Sequence, residues 1–268
     1  MRSVARACCL ALAALATAAA GAHAQDNYEI QVYGAPTIEP HSTMFELHSN
    51  FTFDGRKNFL DGMYPTNHAE HETIEITQGI NDWSEVGFYI FTSARNGQGL
   101  QWVGDHIRPR IRVPDSWHWP VGVSLSTEFG YQRSEFSEDT WNWEIRPIVD
   151  QTIGAWYWAV NPALERTWRG PGVTDGLGFA PSAKIAYTIT PKVSGGVEYY
   201  GSFGSITHGF APVSEQQQQY FGAIDLNVSP VWEINVGLGW GTTPSTEHMI
   251  AKLILGRHVF WGNHKAGQ

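Results

Sequence analysis

The feature that most limits how this chain can fold is a period of two. Segments of about ten residues that alternate apolar and polar side chains recur twelve times, from residue 44 almost to the end. In residues 232–240 one face carries Trp232, Ile234, Val236, Leu238 and Trp240, and the other carries Glu233, Asn235, Gly237 and Gly239. A soluble strand hides its apolar face beneath another layer, and the chain has too few helical windows to supply one. A strand in a bilayer needs aliphatic side chains at mid-depth and amphipathic rings at each headgroup level. The alternation therefore predicts an all-β fold: a transmembrane, antiparallel, up-and-down β-barrel of about 12 strands. The competing reading is a soluble all-β sandwich or lipocalin-like barrel, since exported β-proteins alternate too.

The twelve expected strands are 44–53, 69–78, 83–93, 100–113, 121–132, 140–149, 155–163, 178–189, 193–202, 219–228, 232–241 and 247–261. The connections after the even strands are short, whereas those at 54–68, 164–177 and 203–218 follow odd strands and are long. An even count with short turns at one end and long loops at the other is the pattern of outer-membrane barrels, with both termini on the periplasmic side. Pro109, Pro147 and Pro181 fall inside strands, and each should mark a bulge because proline has no ladder donor.

Charge and cysteine usage agree. Only 16% of residues are charged, against 13% aromatic and 42% hydrophobic; about a quarter charged is usual for soluble domains. Residues 1–24 read as an export signal: Arg2 and Arg6, an alanine-rich run, then Ala22-His23-Ala24 before Gln25. Both cysteines, Cys8 and Cys9, lie in this leader, so the mature chain has no thiol for a disulfide or a metal site. Without the leader the chain carries 15 basic against 26 acidic residues, net −11, which argues against a nucleic-acid partner. The remaining organisation follows: 25–43 as an N-terminal periplasmic segment, 44–261 as the barrel and 262–268 as a tail. The expected partners are outer-membrane lipid, the barrel-assembly machinery and a small-molecule solute.

If the apolar faces meet lipid, the opposite faces line a lumen. That parity turns inward Arg108, Arg110, Arg112 and Arg146, with Lys184, and the carboxylates Glu75, Glu85, Glu128, Glu144, Glu198 and Glu233. Glu46, His48, Asn50, Tyr89, His106, Tyr157, Asp225, Asn227, Asn235, Lys252 and His258 share that face. Three arginines spaced by two form a ladder on one strand. In an open pore such a ladder focuses a field and sets charge preference. In a closed barrel it pairs with the carboxylates and braces the interior. The two functional readings are thus a channel for small, anionic or aromatic solutes and a non-conducting structural or binding barrel.

Neither an enzyme nor a cofactor is expected. Adjacent strand residues face opposite ways, so Ser49 cannot work beside His48. His68 and His71 with Glu70 and Glu72 form a solvated rim whose spacing is not a metal-ligand pattern.

The segments YEIQVY at 28–33, MFELHSNFTF at 44–53 and EVGFYI at 85–90 carry a family likeness. In them the chain resembles the bacterial outer-membrane β-barrel transporter family named after the MetA-pathway of phenol degradation. The closing segment 255–261, a Gly followed by alternating apolar and aromatic positions, resembles the last strand of bacterial outer-membrane proteins but is followed by seven further residues. The family likeness implies a Gram-negative outer-membrane transporter near aromatic catabolism, and assigns no functional residue.

Overall fold

The computed structural model describes residues 27–261; the leader at 1–24, its cleavage point and the tail at 262–268 lie outside the described residues. Twelve strands form one closed antiparallel barrel in which each pairs with its sequence neighbours. They are β1 (Ser42–Asp54), β2 (Glu70–Asn81), β3 (Ser84–Arg95), β4 (Gly99–Arg112), β5 (Gly122–Gln132) and β6 (Trp141–Ile153). The circuit continues with β7 (Trp156–Arg169), β8 (Gly178–Thr190), β9 (Val193–Ser202), β10 (Gln217–Leu226), β11 (Trp232–Gly241) and β12 (Met249–Phe260). β12 closes on β1 from Ser42 opposite Phe260 to Asp54 opposite Met249. Closure leaves no edge strand, so every strand backbone finds its partner without water, as hydrocarbon requires.

The alternation sorts the faces as expected. Phe45, Leu47, Ile74, Phe88, Ile107, Leu125, Val160, Ile185, Val197, Ile224, Val236 and Leu253 are exposed outward, whereas Glu75, Glu85, Arg108 and Lys252 are buried. Exposed tryptophans ring both ends: Trp83, Trp156 and Trp232 at the short-turn end, Trp102, Trp168 and Trp240 at the long-loop end. The apolar, aromatic-edged exterior places the barrel in the outer membrane.

Two local expectations are corrected. The three prolines do not produce bulges. Pro109 stands opposite Val86, Pro147 opposite Leu125 and Pro181 opposite Pro162 in unbroken register, and the register shifts lie elsewhere, as at Phe91/Thr92 and Thr188/Thr190. The ladder loses proline's hydrogen bond without inserting a residue. In addition β7 runs on to Arg169, into the loop expected at 164–177. Leu164 and Trp168 continue its outward face, and the charge of Arg166 between them conceals the alternation.

The largest departure is the segment before β1. Assigned from sequence to the periplasm, it instead runs inside the barrel. Tyr28, Glu29, Ile30, Val32, Tyr33 and Ala35 are all buried. It starts beside Asn50 near the long-loop end of β1 and reaches Glu39 beside Ser42 at the short-turn end, antiparallel to β1. We call residues 27–41 the strap. It joins no ladder, so its backbone groups must find side chains. Thr73 Oγ1 donates to the Tyr28 carbonyl at 2.6 Å, and Lys252 Nζ donates to that of Ile30 at 3.0 Å. Arg110 donates to the carbonyls of Gly34 and Pro36, and the Ile38 N–H donates to Glu85 at 2.6 Å. The fit is close at Gly79, where a Cβ would overlap the backbone of Ile38 and Glu39.

Candidate functional site

Polar side chains on alternate positions of β1–β4, β6, β7 and β12 converge on the strap, which divides the lumen into two tiers. The upper tier, under the long loops, is a cavity of about 1160 Å³ lined by loop residues, by Asn27, Tyr28 and Glu29 of the strap, and at depth by His106, Glu128, Glu144 and Arg146. Its lining holds nine acidic residues against four basic ones. It also presents the rings of Tyr64, Phe136 and Phe210. Arg95 stacks on two of these, 4.3 Å from the Tyr64 ring centre and 4.9 Å from that of Phe136. At the rim, Glu247 accepts from Thr66 Oγ1 and from the Arg56 N–H, tying the loop after β1 to the loop before β12. Burial pushes the Glu247 carboxyl above its ordinary pKa, and these hydrogen bonds only partly offset it.

The lower tier is packed. Tyr33, Tyr89 and Arg108 are 6%, 0% and 2% exposed and fill the section below Glu29. The Tyr33 hydroxyl donates to Glu29 and lies 3.1 Å from that of Tyr89. Arg108 and Arg146 both lie against the Tyr33 ring, 4.6 and 5.1 Å from its centre.

The inward residues expected from parity resolve into three charge networks. In the first, Arg108 Nη2 lies 2.5 Å from Glu75, Arg108 Nη1 3.6 Å from Glu85, and Arg110 Nε 2.8 Å from Glu85. In the second, Arg146 bonds Glu144 at 2.7 Å and Glu29 of the strap at 3.5 Å, and His106 pairs with Glu128. In the third, Lys184 lies 3.3 Å from Glu198 and 2.8 Å from Asp225, and Lys252 also binds Glu198. Each pair is desolvated, and each depends on its partner to offset the loss of water.

Arg112 stands apart. It follows the parity of the ladder but lies past the packed tier, bonded to Asp115 at 2.7 Å and to the Asp82 carbonyl at 2.9 Å in the short turns. Glu233 shares the inward face with Asn235 and remains exposed to the bore. Ser49 and His48 do face opposite ways: Ser49 donates outward to Glu72 at 2.6 Å, whereas His48 is buried. The supposed His-Glu rim is likewise split, His71 turning into the lumen against the Tyr28 ring while Glu70 and Glu72 face out. Sequence reasoning missed Glu29, Tyr33 and Asn161. The first two alternate with apolar residues like any strand, and nothing local reveals that the segment lies within the other twelve.

No family model matches the chain, and no curated protein matches it. Its fold is similar to solved outer-membrane barrels. The KdgM porin covers 80% of this chain and 98% of its own at 9% identity, with a TM-score of 0.53. The NanC porin covers 81% and 100% at 5% identity, with a TM-score of 0.54. An outer membrane channel from Pseudomonas putida F1 covers 86% and 100% at 8% identity, with a TM-score of 0.54. At these identities the likeness concerns the fold.

Proposed function

We propose that the protein is an outer-membrane channel for small solutes, embedded in outer-membrane lipid and closed at rest by its own strap. The observation that carries the reading is the vestibule of about 1160 Å³ that faces the long loops and ends on a strap held in the bore by hydrogen bonds, ion pairs and side-chain packing. The strap belongs to no ladder of the wall, so its contacts can break while every strand stays paired. The similarity to porins and to the Pseudomonas putida F1 channel supports the same class.

The solute class follows from the lining. The ladder arginines that were expected to attract anions have their charge met by Glu75 and Glu85, whereas the vestibule is acidic and carries exposed rings. Aromatic solutes, neutral or cationic, fit it better than anions do. Insertion by the barrel-assembly machinery belongs to the same proposal.

A second reading is favoured by the packed lower tier: a non-conducting barrel closed by Arg–Glu pairs. Planar-bilayer recording separates the two. The wild type should conduct in small or intermittent steps, and a mature chain lacking residues 27–36 should conduct several-fold more. Benzylamine should then permeate faster than benzoate in proteoliposomes. A folded truncated barrel that stays silent would overturn the channel and leave the structural reading.

A further inference from the structure

One cluster in the lumen is only partly absorbed by the three charge networks: Glu75 is paired with Arg108, while its neighbours Glu46 and His48 belong to none of the three. Glu46 on β1 stands directly opposite Glu75 on β2, and His48 lies two residues beyond Glu46 on the same inward face. One donor atom from each of the three residues lies within 4.8 Å of the others, and all three residues are buried. Arg108 and Thr77 bond one oxygen of Glu75, but its Oε2 makes no hydrogen bond. Nor does Glu46 Oε1, and nor does either nitrogen of His48, although Nε2 lies 3.3 Å from Glu75.

Unsatisfied buried donors and acceptors are costly, and here three residues concentrate them at one point. The charge balance points the same way. Arg108 and Arg110 offset Glu75 and Glu85, but among the described residues no cation is bonded to Glu46. Glu233 adds a second such carboxylate: a Cβ on Gly256 would lie 3.0 Å from Glu46 Cγ and 3.2 Å from Glu233 Cβ.

We infer that Glu46, His48 and Glu75 form a binding site for one divalent transition cation of the zinc class. One imidazole nitrogen and two carboxylate oxygens are ordinary ligands for such an ion, with bonds of about 2.0–2.2 Å. Tetrahedral donors at that distance are about 3.4 Å apart, so the three side chains need to close in by up to about 1.4 Å, within the reach of their rotamers. Glu233 or water takes the fourth position, toward the bore. The cation gives Glu46 the positive partner it lacks and cross-links β1 to β2 at the depth where Arg108 meets the strap. The site is independent of whether the barrel conducts.

The test uses the mature full-length barrel, refolded in detergent, with Zn²⁺ and Co²⁺ as probes. One equivalent of zinc should survive gel filtration, and Co²⁺ should give the intense visible bands of a four-coordinate ion. Glu46→Gln and His48→Gln should each weaken zinc binding at least tenfold, while His208→Gln on an exposed loop should leave it unchanged. If these variants do not fold, zinc-edge X-ray absorption of the wild type decides: one imidazole with oxygen neighbours is expected. A folded wild type that holds no zinc, a site with two or more imidazoles, or binding undiminished in both folded variants would overturn the assignment.

Discussion

Asn161 grips Tyr33 by both of its backbone groups. Its Oδ1 accepts from the Tyr33 N–H at 2.8 Å and its Nδ2 donates to the Tyr33 carbonyl at 2.9 Å. The side-chain amide thus supplies what a neighbouring strand would give in a ladder. It fixes the strap at mid-lumen.

Replacing it should loosen the strap without opening the barrel wall. Asn161→Leu keeps the branched shape but leaves two buried backbone groups unpaired, at about 1–3 kcal/mol. Amide exchange in residues 28–36 should accelerate tenfold or more, with β-strand protection retained, and channel openings should become more frequent. Hydrogen-exchange mass spectrometry of folded barrels in micelles makes the comparison; unchanged strap exchange would contradict the assigned anchor.

The ladder arginines should differ sharply. Arg108→Ser strands Glu75 and leaves Glu85 with Arg110 alone, and breaking such a buried pair costs about 3–5 kcal/mol. Arg112→Ser removes a partner of the exposed Asp115 and should cost under about 1 kcal/mol. Urea unfolding followed by tryptophan fluorescence, together with loss of heat-modifiable migration, measures both. Equal effects would mean that Arg108 is not buried in its network.

Gly130 makes room for a side chain. A Cβ there would overlap the His106 ring, which pairs with Glu128. Gly130→Ala should cost about 1–3 kcal/mol through overpacking. The penalty should shrink in a His106→Ala background, a coupling of about 1 kcal/mol or more. Additive costs in the double-mutant cycle would place the strain elsewhere.

The rim should respond to pH through Glu247. Its carboxyl titrates above its ordinary value when folded, so the folded rim binds the proton more tightly than the unfolded chain does. Its contribution to rim stability is therefore complete below the unfolded pKa and is lost as pH rises through the raised folded one. Protection of the loop at 54–68 should be higher at mildly acidic pH than at neutral pH. Glu247→Gln should flatten that dependence, and exchange rates across the pH series report it.

The wall was legible because its physics is local. Trp232, Val236 and Trp240 announce a lipid face from a single strand, and Glu75 and Arg108, on the opposite parity of their strands, are buried. The strap was not legible because its surroundings are assembled from strands far away in sequence. Tyr28 and Glu29 are both buried although neighbours on a strand should face opposite ways, and only the closed barrel explains that. Arg112 shows the complementary limit. Parity gives the side on which a residue lies but not the depth, and two residues beyond Arg110 the bore has given way to the turns.

The strap bonds β2 through Thr73, β4 through Arg110, β6 through Arg146, β7 through Asn161 and β12 through Lys252. β7 and β12 lie nearly opposite each other on the circumference. An empty hoop of twelve strands can flatten under lateral pressure without losing a single rung of its ladders. A hoop with spokes cannot, because any ellipse stretches one contact while it compresses another. The cross-section of this barrel is therefore set from its axis as well as from its wall. Withdrawal of the strap would do two things together: clear a path, and let the membrane squeeze the ring into a different shape.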